Sequence, residues 1–271
     1  GRVLYGAEKG RERVMINYIR SEFYRILHTK DIYLFNLVLM AGVLALNGGI
    51  YIAAATLPNI RYAKVQFVLS FLTGSMEFLF AAGAILAVLL FSGERRNGVM
   101  KNAVAYGISR TSLFFGKCIV SFVMALVSMI LLTAVYIISA VLLLEGPAQP
   151  YVEQMLEGIA ANLPFAAAAL ILAVGFIQLF EKELIAGLAW MGVIYLIPSA
   201  CYTVGFQFPA VAKIAAWMPR NYLMTEVTAG MSGYECLWSE PAGAAKCVIA
   251  GVIGIAVFLI LGAVINRRKE I

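Results

Sequence analysis

The chain has 271 residues, of which 62% are hydrophobic and only 13% charged, and its mean hydropathy is +0.87. These values exclude an ordinary soluble domain. The net charge of +6 does not mark a nucleic-acid partner, because no basic segment large enough to fold stands outside the apolar runs.

Those runs reach about 20 residues or more, with helical rather than alternating texture, which points to an all-α integral membrane protein and away from a β-barrel. Six transmembrane helices are expected, at 32–56, 67–91, 113–144, 162–180, 184–206 and 244–266. The third is longer than one crossing needs and should tilt or extend past the lipid. Pro164 is expected in the first turn of the fourth, where proline is tolerated.

Residues 1–14 show no apolar period and read either as a non-native or disordered leader or as a solvated basic arm, with a single six-span domain beginning at Met15. From Met15 to Lys30, Ile16, Ile19, Phe23, Ile26 and Leu27 recur at helical spacing while Arg20, Glu22, Arg25 and Lys30 take other faces. This predicts an interfacial amphipathic helix lying on lipid before the first span, as an anchor, an elbow or both.

Between the second and third spans, residues 92–117 form a polar, basic interruption with Arg95, Arg96, Lys101, Arg110 and Lys117. Residues 145–160 read as a short acidic connection with no site in it. Residues 207–243 mix short apolar runs with Pro209, Pro219, Gly230, Gly233 and Pro241, which suits a re-entrant or interfacial segment before the last span, with Trp217 and Trp238 at the headgroup level. Most of the 21 Lys and Arg residues fall before the first span, in 92–117, at Lys182 and in the tail, whereas Arg61, Lys64, Lys213, Arg220 and Lys246 fall on the other side. The positive-inside rule therefore places both termini in the cytoplasm and the basic flanks against anionic membrane lipid.

Catalytic signatures are missing. His28 is the only histidine, and no G-x-x-x-x-G-K-[ST] phosphate loop occurs, so this chain supplies no ATPase of its own. Cys118, Cys201, Cys236 and Cys247 lack metal-ligand spacing, and a Cys236–Cys247 disulfide is one option. Glu77 is the one formal charge well inside an expected span. It is either a functional group facing a pathway or partner, or a hydrogen-bonded residue in a helix interface. Asn47, Gln66, Asn162 and Gln178 pose the same choice in weaker form. Pro198 should bend the fifth span and free a carbonyl one turn earlier. Ala250 and Gly254, four residues apart, would permit a close helix contact.

The 92–117 interruption carries the most specific pattern: E-R-R-x-G (Glu94, Arg95, Arg96, Gly98), a short helical stretch from Val99 to Tyr106, then G-x-S-R (Gly107, Ser109, Arg110). It resembles the connection between spans two and three in permeases of ABC-2 type exporters. The segment MINYIRSEFYRILHTKDIYLF from Met15 is similar to the amphipathic helix that opens such permeases, particularly the compact Gram-positive ones of peptide-antibiotic export or immunity. Val99 and Gly107 depart from the Thr and Pro of many relatives. The resemblance implies a coupling helix, with Glu94, Arg95, Arg96, Gly98, Lys101, Ser109 and Arg110 facing a separate ATP-binding subunit that holds ATP and Mg, no cofactor in this chain, and a second permease copy or paralogue. Its implied role is export of an amphipathic peptide antibiotic, drug or lipid across a bacterial plasma membrane. An ion-coupled secondary transporter using Glu77 is the rival from another class.

Overall fold

The computed structural model describes residues 2–56, 63–96, 108–229 and 234–268. Helix α1 (Arg2–His28) is followed by α2 (Asp31–Thr56), α3 (Val65–Thr73), α4 (Glu77–Arg96), α5 (Arg110–Leu143) and α6 (Gln149–Leu179). Helices α7 (Glu183–Met191) and α8 (Ile197–Gly205) are joined by a π turn at Gly192–Leu196, and the short α9 (Pro209–Ala215) and α10 (Pro219–Thr225) lead to a hairpin of β1 (Val227–Ala229) and β2 (Tyr234–Cys236). Helix α11 (Pro241–Arg268) ends the described chain. Among the described residues, five helical segments are long and apolar enough to cross a membrane, and the α3–α4 pair makes a sixth candidate. The protein is an all-α integral membrane protein in its spanning part.

Helix α6 is the axis of the bundle, packing chiefly against α11 and α4. Its PFAAAALILAVG run (Pro164–Gly175) explains why: alanines at consecutive positions let neighbours approach from several sides, and Ala168 and Ala169 are wholly buried. Helix α11 meets it through glycines. A Cβ at Gly251 would lie 2.6 Å from the Phe165 nitrogen, one at Gly254 would lie 3.0 Å from Ala168 Cβ, and one at Gly262 would collide with the Phe114 ring of α5. The Ala250/Gly254 pair expected to favour close contact thus sits in a genuine helix seam. In lipid, where burial of hydrocarbon gives no advantage between helices, this backbone proximity and a few polar ties hold the bundle. Two such ties are Trp190 Nε1 donating to the Ala169 carbonyl at 2.8 Å and Asn47 Nδ2 of α2 donating to Ser139 Oγ of α5 at 2.7 Å.

The structure corrects several expectations. The second span is not straight. It breaks at Gly74–Met76, with α3 and α4 inclined by 67°, and hydropathy averaging cannot see a break made of small and apolar residues. The fourth helix starts at Gln149, not 162, so the acidic connection is mostly helix and Pro164 lies inside it rather than in its first turn. Residues 2–14 are helical in backbone and continuous with the segment from Met15. The segment before the last span contains a two-stranded hairpin, Val227 opposite Cys236, besides its short helices. Trp217 is half exposed, but Trp238 is buried and donates through Nε1 to the Gln154 carbonyl at 3.1 Å, because Gly158 of α6 leaves room for its ring. Cys236 and Cys247 are free thiols.

Candidate functional site

At one end of the bundle, α4 and α5 flank the interruption between them. Gly98 and Lys101, with the rest of the 98–106 stretch, lie outside the described residues. Glu94, Arg95 and Arg96 form the last turn of α4. On the far side, Ser109 is the N-cap of α5: its backbone is extended at φ −67°, ψ 145°, and its Oγ accepts from the Ser112 amide at 3.1 Å. Arg110 opens the helix itself. Ser109 of the S-R pair is therefore the cap that fixes where this helix begins.

Helix α1 ties both flanks together. Tyr18 packs on Gly116 of α5, where a Cβ would come within 2.8 Å of its ring. Arg25 pairs with Glu22 at 2.7 Å and also donates to the Leu90 carbonyl of α4 at 3.3 Å. The Phe91 ring of α4 receives two cations, Lys117 Nζ at 4.7 Å and the Arg25 guanidinium at 5.9 Å from its centre, a geometry that is attractive and stronger where water is excluded. Helix α1 turns one of its faces inward here. Its buried stripe is Tyr18, Glu22 and Ile26, spaced by four, whereas Ile16 and Leu27 face outward. Lys117, a member of the polar, basic interruption in the sequence, is buried.

At the opposite end, the break after α3 places Glu77 in the first turn of α4, where its carboxylate forms an ion pair with Arg220 of α10. Tyr195 borders both partners: its hydroxyl donates to the Glu77 carbonyl at 3.4 Å and its ring lies 5.8 Å from the Arg220 guanidinium. The next residue, Asn221, donates through Nδ2 to the carbonyls of Pro198 and Ala215, each at 2.9 Å. Two residues that sequence singled out separately, Glu77 and Pro198, are thus joined through consecutive residues of α10. Arg220, Asn221 and Tyr195 were missed, and the one signal for Arg220 was a cation behind Pro219 in a segment of short helices.

Nearby, Lys246 pairs with Glu226 at 2.6 Å and covers the Tyr222 ring. Burial pushes the Tyr222 hydroxyl well above the usual tyrosine range. The Cys236 thiol is pushed up to about 11, first by burial and then by the Glu157 carboxylate. Among the described residues, no His, Cys, Asp or Glu cluster has the arrangement of a metal site.

Residues 18–199 match the family model of the ABC-2 family transporter proteins. No curated protein and no solved structure matches the chain.

Proposed function

Since this chain belongs to the ABC-2 transporter family as a membrane-spanning subunit, we propose that it is the permease of an ATP-driven exporter, set in a bacterial plasma membrane with both termini in the cytoplasm. A separate ATP-binding subunit, carrying ATP and Mg, would dock on the interruption between α4 and α5. A second copy of the chain or a paralogue would complete the conduit, since one six-span unit rarely encloses a large solute. The cargo proposed is amphipathic: a peptide antibiotic, a drug or a lipid.

The observation that supports coupling is the way α1 grips the ends of α4 and α5 on either side of the interruption, through Arg25 to the Leu90 carbonyl and Tyr18 on Gly116. A push on the 97–107 segment is then delivered to three helices at once. Helix α4 carries it, over about 30 Å at 1.5 Å per residue, to the Glu77–Arg220 pair at the other end. Closure of the ATP-binding subunits would tilt α4 and α5 and change which side the cargo path faces.

Deleting residues 98–106 tests this reading. The assembled complex should lose cargo-stimulated ATP hydrolysis while the chain still inserts and folds, as judged by protease protection and thermal unfolding. Unchanged stimulated turnover overturns the coupling assignment.

A further inference from the structure

Helices α2, α4, α5 and α6 line an apolar cavity of about 420 Å³ among the apolar stretches of the candidate spans, within the range of sites that hold small molecules. Its wall on α5 runs from Phe122 to Tyr136, about 21 Å at 1.5 Å per residue. Half of the roughly 30 Å hydrocarbon layer is about 15 Å, so the cavity can accept a chain of the length that fills one leaflet. It opens sideways: Phe78 and Ile85 of α4 line it and are also 56% and 54% exposed on the outside of the bundle. A water-soluble occupant would have to cross hydrocarbon to reach it, whereas a bilayer chain need only swing in.

Ser128 supplies the second observation. It lines the cavity, is 4% exposed, and its buried Oγ has no hydrogen-bond partner. Serines in membrane helices ordinarily satisfy themselves on the carbonyl four residues back, as Ser121 does on the Lys117 carbonyl at 2.8 Å. An unpaired hydroxyl in hydrocarbon is costly, and an oxygen on the occupant would relieve it.

We propose that this cavity is a ligand site, entered sideways from the bilayer, for one long hydrocarbon chain bearing a hydrogen-bonding oxygen part-way along its length. The site stands independently of the exporter reading, because it is built by this chain alone.

The full chain in phosphatidylcholine vesicles, labelled with a diazirine-bearing fatty acid and mapped by peptide mass spectrometry, tests it. Adducts are expected on Phe122, Ala125 and Ile85, and stearic acid should suppress them while leaving labelling of the exposed Ile260 on α11 unchanged. Ala125→Trp, which fills the cavity, should cut the cavity adducts at least fivefold, with thermal unfolding reporting that the variant is folded. 12-Hydroxystearic acid should compete about tenfold better than stearic acid, the worth of one hydrogen bond, and the difference should vanish in Ser128→Ala. Cavity labelling no more competable than Ile260, or insensitive to Ala125→Trp in a folded protein, overturns the site. Equal competition by the two acids, or a preference retained in Ser128→Ala, overturns the oxygen-bearing ligand.

Discussion

Glu77 and Arg220 form an ion pair across 143 residues of sequence, joining the start of α4 to a seven-residue helix that precedes the last span. The side chains keep 24% and 30% exposure, so the pair is neither freely solvated nor dry. Glu77→Gln or Arg220→Gln should each lower the unfolding free energy of the purified chain by about 1–2 kcal/mol, because each leaves a partly desolvated charge without its partner. The reversal Glu77→Arg with Arg220→Glu should recover at least half of that loss in a double-mutant cycle. Additive losses would show that the two residues do not act together.

The glycine seam sets a sharper steric demand. Gly251→Ala puts a methyl 2.5 Å from Pro164 Cβ and 2.6 Å from the Phe165 nitrogen. Backbone cannot step aside as a flexible side chain can, so a loss of about 2–3 kcal/mol is expected. Gly187→Ala on α7, with nothing within 4 Å of the added methyl, should leave the melting temperature unchanged or raise it slightly.

Helix α2 has little burial along its length and is fastened to α5 by Asn47, which is fully buried. Asn47→Leu should loosen that contact by about 0.6–1.7 kcal/mol, the range of interhelical hydrogen bonds in membranes. Disulfide trapping between cysteines introduced on α2 and α5 would become faster and less position-specific.

Cys236 gives a pH test. Its thiol pKa is about 11 against an ordinary value of 9.0, and the thiolate is the reactive form. Alkylation of Cys236 in the folded chain should stay slow at pH 8 and accelerate as the pH approaches 11. Because the folded state holds the proton more tightly, its contribution to stability is complete below about pH 9 and is lost as the pH rises from 9 to 11. Glu157→Gln should lower the pKa and speed alkylation at a fixed pH.

The spanning helices were legible because each is a long apolar run bounded by charge, although α5 begins at Arg110, three residues before the expected 113. What escaped sequence reading shares a cause: it depends on distant partners. Glu77 looks isolated along the chain because Arg220 lies in another apparent loop. Trp238 has the composition of a headgroup anchor and becomes a core residue only because Gly158 opens a slot on α6. Lys117 belongs to a polar interruption and Glu22 to a polar helix face in the sequence, yet both are buried in the fold. Pro164 suggested a helix start, yet α6 continues upstream because Gly158 packs on Met76 and Trp238 there and Met155 is wholly buried. The 67° break was hidden because Gly74, Ser75 and Met76 are common in unbroken membrane helices as well.

The Ile197 amide bonds the carbonyl of Gly192, five positions back, so the fifth span holds one residue more than a regular helix of the same rise would contain. That surplus works as slack in the numbering. Excising a single residue from Gly192–Leu196 would let the coil tighten to the ordinary pitch while Trp190 before it and Pro198 after it keep their bearings, whereas the same excision in the middle of α6 would rotate everything downstream by about 100°, the angle of one residue at 3.6 per turn.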